Sequence, residues 1–205
     1  MITPADAVAF ERCVADGGVA VFPADTVYGL ACRPDSASAI ARLYAIKGRR
    51  PDKPAALMFF DLRLALTALP ELGPRTTEAL ERLLPGGVTL LVDNPADRFP
   101  LACGADRSTL GLRVPRLDGP LAALAAVGEP VLQSSANLTG DADARRLEDV
   151  PEAIRRAADL ALDAGELPGT PSTVVDLRGY EDGAWSIVRE GAVERAAVER
   201  ELDQY

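Results

Sequence analysis

An α/β fold with a mixed, twisted parallel/antiparallel sheet flanked by helices is what this sequence predicts. Three observations carry that expectation. Segments with helical and with strand-like apolar spacing alternate from one end to the other. The strand candidates are short and separated by loops, which disfavours a regular doubly wound sheet. No repeat or low-complexity linker divides the 205 residues, a length suited to one sizeable core. The expected organisation is a single domain over residues 1–205.

The elements follow in order. Thr3-Pro4 reads as N-cap and first position of a helix to about Asp16, stopped by Gly17-Gly18. Val19 to Pro23 is a short buried strand, and residues 24–30 read as a turn-like segment. Asp35 or Ser36 caps a second helix with Ile40, Leu43 and Tyr44 on one face. Ala55 to Phe60 is a strand, Asp61 caps a short helix, and another helix spans about Pro74 to Leu84. Pro85-Gly86-Gly87 breaks it before the strand Val88 to Val92. Thr109 to Pro115 is a strand, a helix lies near Pro120 to Val127, and Val131 to Ser134 is a strand ending in the polar turn 135–140. Asp149-Val150-Pro151 opens a helix to about Ala158. Short strands follow at 160–163, 173–177 and 185–189, then a helix from about Val193 to Leu202.

Composition narrows the chemistry. Histidine is absent, which removes Ser-His-Asp and Cys-His catalysis and histidine-ligated metals. Three widely spaced cysteines, Cys13, Cys32 and Cys103, suggest buried hydrophobes rather than a disulfide framework. No apolar run approaches the ~20 residues that span a bilayer, and the N-terminus lacks a signal-peptide pattern, so the expected location is cytoplasmic. The net charge of −9 argues against strong phosphate-backbone binding.

Positive charge is concentrated instead. Of 22 basic residues only two are lysine, and both lie in Lys47-Gly48-Arg49-Arg50-Pro51-Asp52-Lys53. A mobile ammonium beside a rigid guanidinium fork suits a polyphosphate. Helix C-capping would explain one or two of these charges but less easily all four. Four further segments combine glycine or polar residues with strand ends: 23–30, 108–115, 134–140 and 169–177, the last with Arg189 downstream. Each has a structural alternative. Asp25-Thr26 and Ser135-Asn137 suit caps or Asx turns, Arg113 suits pairing with a structural carboxylate, and Arg145-Arg146 suit a solvated loop. Neither GxxxxGK[ST] nor GxGxxG is present.

Taken in order, these segments resemble the YrdC family, the threonylcarbamoyl-AMP synthases. The family's PTDTVYGL stands as Pro23-Ala24-Asp25-Thr26-Val27-Tyr28-Gly29-Leu30, and its KxR as Lys47-Gly48-Arg49. Pro85-Gly86-Gly87-Val88-Thr89, Arg113-Val114-Pro115, Ser135-Ala136-Asn137, Ser172-Thr173-Val174-Val175-Asp176 and Arg189-Glu190-Gly191 match its remaining motifs. The likeness covers about residues 5 to 195. Ala24, Gly87 and Glu190 depart from the usual Thr, Pro and Pro. The implied form is the short, single-domain one.

The resemblance implies a nucleotidyl transfer that joins L-threonine, bicarbonate or CO2, and ATP into threonylcarbamoyl-AMP and pyrophosphate, with Mg²⁺ accompanying ATP. It assigns Thr26, Met58, Arg113, Ser135 and Ser172 to threonine. Lys47, Arg49, Lys53, Thr109, Asn137, Arg145 and Arg189 go to the nucleotide. Lys47, Arg49 and Arg113 are the catalytic cations, and Tyr28 either covers a ligand or fills the core. It implies a downstream transferase complex that modifies tRNA, at most a weak direct tRNA contact, and no membrane partner. An ATP-binding paralogue with another substrate, carbamoyl phosphate handling and an RNA-binding module are the competing readings.

Overall fold

Thr3 and Asp6 close a capping box at the start of the chain. Asp6 N–H donates to Thr3 Oγ1 at 3.2 Å, and Thr3 N–H donates to Asp6 Oδ2 at 2.8 Å. With Pro4 in the first turn, this nucleates α1 (Pro4–Ala15), which buries Ala7, Phe10 and Val14. The computed structural model describes residues 1–50 and 53–203; Pro51 and Asp52 of the basic stretch, and residues 204–205, lie outside them.

Helix α1 leads into a hairpin of β1 (Ala20–Ala24) and β2 (Val27–Cys32), every residue of which is buried. The segment expected to be turn-like is therefore a turn only at Asp25-Thr26. Strand β2 is buried on both faces, so it carries no polar alternation that would mark it as a strand. Ser36 caps α2 (Ala37–Lys47) by accepting from Ala39 N–H at 3.3 Å, and Gly48 ends it at φ +58. Strand β3 (Ala56–Met58) is shorter than the apolar run around it. Helices α3 (Leu62–Ala68), capped by Asp61, and α4 (Pro74–Leu83) precede β4 (Val88–Asp93) and β5 (Thr109–Arg113).

Residues Gly119–Ala126 form a 3₁₀ helix rather than the expected α-helix. Ile2 N–H donates to the Pro120 carbonyl at 2.8 Å, which fastens the start of this helix to the N-terminal segment. Strand β6 (Val131–Ser135), helix α5 (Glu152–Ala157), β7 (Leu160–Ala161), β8 (Thr173–Asp176), β9 (Ser186–Arg189) and α6 (Arg195–Leu202) follow, with short 3₁₀ turns at Leu147–Asp149 and Tyr180–Asp182.

The strands join in the order β7-β1-β2-β6-β3-β5-β4-β8-β9. Pairs β1–β7, β3–β5 and β4–β8 are parallel and the rest antiparallel, as the mixed-sheet expectation requires. One face is packed: Phe10, Phe22 and Phe60 meet at ring centroid distances of 5.0 to 6.4 Å. Along β4 and β5 the other face stays partly open, with Thr89, Leu91, Thr109 and Gly111 half-buried in alternation with the buried Val88, Leu90, Val92, Leu110 and Leu112. With Ala56, Val174 and Arg178 these residues line a cavity of about 460 Å³.

Candidate anion-binding site

Two polar clusters stand at the ends of the strands. The first is built on Arg113, the last residue of β5, whose side chain is 4% exposed. Its NH2 donates to Asp25 Oδ1 at 2.7 Å and to Thr26 Oγ1 at 3.2 Å, both on the tight turn between β1 and β2. Asp25 Oδ2 also accepts from Arg116 N–H at 3.1 Å. Burial pushes the Asp25 carboxyl above its usual range, against the pull of Arg113. Burial likewise lowers the Arg113 guanidinium, against the pull of Asp25. In both partners desolvation outweighs the attraction, so the pair by itself does not fully compensate the buried charge.

Arg189 adds a second cation on the same side. It donates from NH2 to the Ser172 carbonyl at 2.7 Å, and its charge further lowers Arg113. The Ser172 and Thr89 hydroxyls are hydrogen-bonded at 2.7 Å, which ties β8's entry to β4. Gly169 N–H donates to the Thr26 carbonyl at 2.9 Å, bringing the 169–172 segment beside the turn.

The second cluster is built on Lys47, the final residue of α2 and only 2% exposed. Its ammonium donates to the Ser135 carbonyl, and to the Asn137 carbonyl and Oδ1 at 2.8 and 3.1 Å. Ser135 Oγ donates to Asn137 Oδ1 at 2.5 Å, and Asn137 Nδ2 donates to the Asp141 carbonyl at 2.6 Å. Burial, with Arg49 nearby, lowers Lys47 to about 8. Arg49 lies 5.8 Å from the centroid of the Tyr44 ring and donates to the Pro54 carbonyl at 2.5 Å. Strand β2 links the clusters: Thr26 precedes it, Gly29 pairs with Ser135, and the Tyr28 carbonyl accepts from Ala136 N–H at 2.8 Å.

The structure thus gathers Thr26, Arg113, Ser172 and Arg189 in one place and Lys47, Ser135, Asn137 and Arg49 in another. Met58 is fully buried in β3, in register with Arg113. Lys53 is exposed, and its carbonyl accepts from Tyr44 Oη at 2.9 Å. Thr109 sits four residues before Arg113 on β5, where it donates to Asp106 and accepts from Arg178. Arg145 is exposed, pairs with Glu166 at 2.7 Å, and packs its stem over Gly169. Tyr28 belongs to the core, with its hydroxyl spent on residues 163–165. The structural alternative for Arg113 is realised as well, its carboxylate partner being Asp25. Thr89 was legible only as part of a motif; nothing local in the sequence marks it as the partner of Ser172.

Fold and site define an α/β protein that gathers cations at strand and helix ends, with Arg113 and Lys47 buried, Arg49 half-buried and Arg189 exposed, a setting for an anionic ligand. The sequence model of the Sua5/YciO/YrdC family, described as telomere recombination, matches residues 12–191. The chain belongs to that family. A threonylcarbamoyl-AMP synthase of Chromohalobacter salexigens is 38% identical over 181 residues, covering 86% of this chain and 94% of that protein. Among solved structures, E. coli YciO superposes with a TM-score of 0.80 at 26% identity, over 97% of this chain and 95% of that one. P. abyssi Sua5 complexed with L-threonine gives 0.85 at 22% identity, over 98% of this chain and 58% of that one. This chain therefore spans less than two thirds of the P. abyssi protein. No helix among the described residues is long and apolar enough to cross a membrane.

Proposed function

We propose that this chain is a threonylcarbamoyl-AMP synthase. Threonine's amine adds to CO2 with loss of a proton, or condenses with bicarbonate with loss of water, to give a carbamate. A carbamate oxygen then attacks the α-phosphorus of ATP, the bond to the bridging oxygen breaks, and pyrophosphate leaves. The nucleophile is already an anion, so the absence of histidine is no obstacle. The protein's task is alignment and charge neutralisation.

Arg113 and Thr26 take the threonine end, with Ser172 and Ser135 as hydroxyl partners and Met58 as apolar wall. Lys47, Arg49, Lys53, Asn137 and Arg189 serve the nucleotide, with Thr109 and Arg145 at its margins. Among the described residues no three Asp, Glu or Cys side chains gather to hold an ion. Mg²⁺ therefore fits as a partner of ATP, coordinated by phosphate oxygens and water, which is its usual habit with nucleotides. The product suits a downstream transferase that moves the threonylcarbamoyl group onto tRNA.

The observation that carries this reading is the buried Arg113 beside Thr26 and Arg189, on a chain 38% identical to a synthase over nearly its whole length. The test is pyrophosphate release from ATP with bicarbonate and Mg²⁺, with each common amino acid in turn. Release that appears with threonine and falls ~100-fold or more in Arg113→Ala supports it. Well-folded protein indifferent to threonine would sink it.

A further inference from the structure

We propose that Asp25 is a positioning residue for amino-acid recognition: it grips one nitrogen of Arg113 so that another is presented to the substrate carboxylate. This rests on the synthase reading above, and deepens it by naming what sets the carboxylate preference.

The geometry is asymmetric. Among the described residues, every hydrogen bond of the Arg113 guanidinium to protein leaves from NH2, toward Asp25 Oδ1, Thr26 Oγ1 and the Ala24 carbonyl. Nε is buried without a partner. NH1 makes no hydrogen bond to a described residue, and the side chain as a whole is 4% exposed. A guanidinium held at one nitrogen by a carboxylate keeps its plane fixed, and the remaining N–H groups point in set directions. NH1 is then the nitrogen left to receive an incoming carboxylate.

Asp25 is itself held. Its second oxygen accepts from Arg116 N–H at 3.1 Å, and its side chain is 8% exposed. Its backbone lies at φ +58, in the left-handed region that aspartate, asparagine and glycine tolerate. A residue in an uncommon backbone conformation, with a carboxylate engaged at both oxygens and 88 positions from its arginine, is overdetermined for that one contact. The same contact leaves Arg189 as the second cation on this side, so a ligand carboxylate meets a net positive charge despite Asp25.

The experiment compares wild type, Asp25→Asn and Asp25→Gly, both of which suit a positive φ. Pyrophosphate release is measured against L-threonine and against L-threoninol, which keeps the amine and hydroxyl but lacks the carboxylate. Thermal melts accompany each variant. The expected result is a KM for threonine raised ~10-fold or more, a KM for ATP within ~2-fold, and a threonine-to-threoninol preference reduced by the same factor as the threonine loss. Equal losses with both substrates would reduce Asp25 to a structural part. A lowered KM for threonine would make it a competitor that the substrate displaces. Either result overturns the proposal. If Asn at this position unfolds the protein, the glycine variant answers the same question without a side chain. Wild-type protein that ignores threonine altogether overturns the synthase reading and this proposal with it, whereas an active wild type with unaltered variants overturns this proposal alone.

Discussion

Lys47 Nζ lies 2.8 Å from the Asn137 carbonyl and 3.1 Å from its Oδ1, so the end of α2 is fastened to the turn after β6. With the Ser135 carbonyl as a third acceptor, all three ammonium donors are engaged. Burial, then the neighbouring Arg49, lowers this lysine from 10.5 to about 8. In the free enzyme its charge is lost as pH rises through 8. We expect kcat/KM for ATP to fall on an alkaline limb near that value, while the kcat limb lies higher because bound phosphates favour the ammonium. Stability moves the other way. Between pH 8 and 10.5 the unfolded chain binds more protons than the folded one, so Lys47's contribution to stability rises there. Rate profiles and melts of wild type against Lys47→Met, from pH 7 to 10, check both signs. A flat kcat/KM across pH 8 would contradict the assignment.

The Thr89–Ser172 hydroxyl pair makes a separate prediction. Thr89→Val keeps the shape but leaves the Ser172 hydroxyl with only Arg189, whose NH2 lies 3.4 Å away. The expected cost is ~1 kcal/mol in stability, the net worth of one hydrogen bond. Freed to rotate, Ser172 holds threonine less well, and we expect KM for threonine to rise ~5-fold with KM for ATP unchanged. Steady-state kinetics and urea unfolding read the two effects. A change in KM for ATP alone would place Ser172 at the nucleotide instead.

Much of this fold was legible because its signals are local. Thr3, Asp35 or Ser36, and Asp61 read as caps, and Thr3, Ser36 and Asp61 each cap their helix through a bond to the next few residues. Strand β2 was not legible, since both its faces are buried and it is interrupted by Gly29, where an added Cβ would meet Gln133 Nε2 at 2.8 Å. The 3₁₀ helix at 119–126 is tied to Ile2, more than a hundred positions away, a contact that no local pattern signals. The site divides in the same manner. The sequence marks Asp25, Arg113 and Ser172 as polar residues at strand ends, and Thr89 only as part of a motif. That Asp25 meets Arg113 across 88 positions, and Thr89 meets Ser172 across 83, is a matter of sheet register, which no local pattern encodes.

Gly191 offers a test of how tightly that register is held. A Cβ there would come within 2.3 Å of the Pro171 carbonyl and within 2.6 Å of Ser172 backbone atoms. These are backbone contacts with no flexible end to give way. Gly191→Ala must therefore push β9's exit from the 171–172 segment and disturb the Arg189–Ser172 bond. We expect a loss of ~2–3 kcal/mol in stability, within the range of overpacking, and at least ~10-fold in kcat/KM for threonine. Denaturant unfolding and kinetics on the same preparation check it. A variant with wild-type stability would mean that Ser172 is more loosely placed than its contacts indicate.

Tyr28 separates structure from chemistry. Its ring is fully buried, and its hydroxyl lies 2.9 Å from Asp163 Oδ1 and 2.8 Å from the Gly165 carbonyl while accepting from Ala164 N–H at 3.1 Å. Tyr28→Phe leaves that N–H and its neighbours short of a partner, at a cost of ~1–3 kcal/mol. For a chain of this size that is a drop of ~3–10 °C in Tm. Burial pushes the phenol from 10 up to about 12, so the unfolded chain ionises first and this group's contribution to stability is lost as pH rises from 10 toward 12. The phenylalanine variant has no phenol to titrate. Its stability deficit should therefore shrink across that interval. KM for threonine should stay within ~2-fold of wild type, because no Tyr28 side-chain atom is free for a ligand. Melts at pH 7 to 11 and threonine kinetics at pH 7.5 decide it: a large KM change with an unchanged Tm would return Tyr28 to the ligand and remove it from the frame.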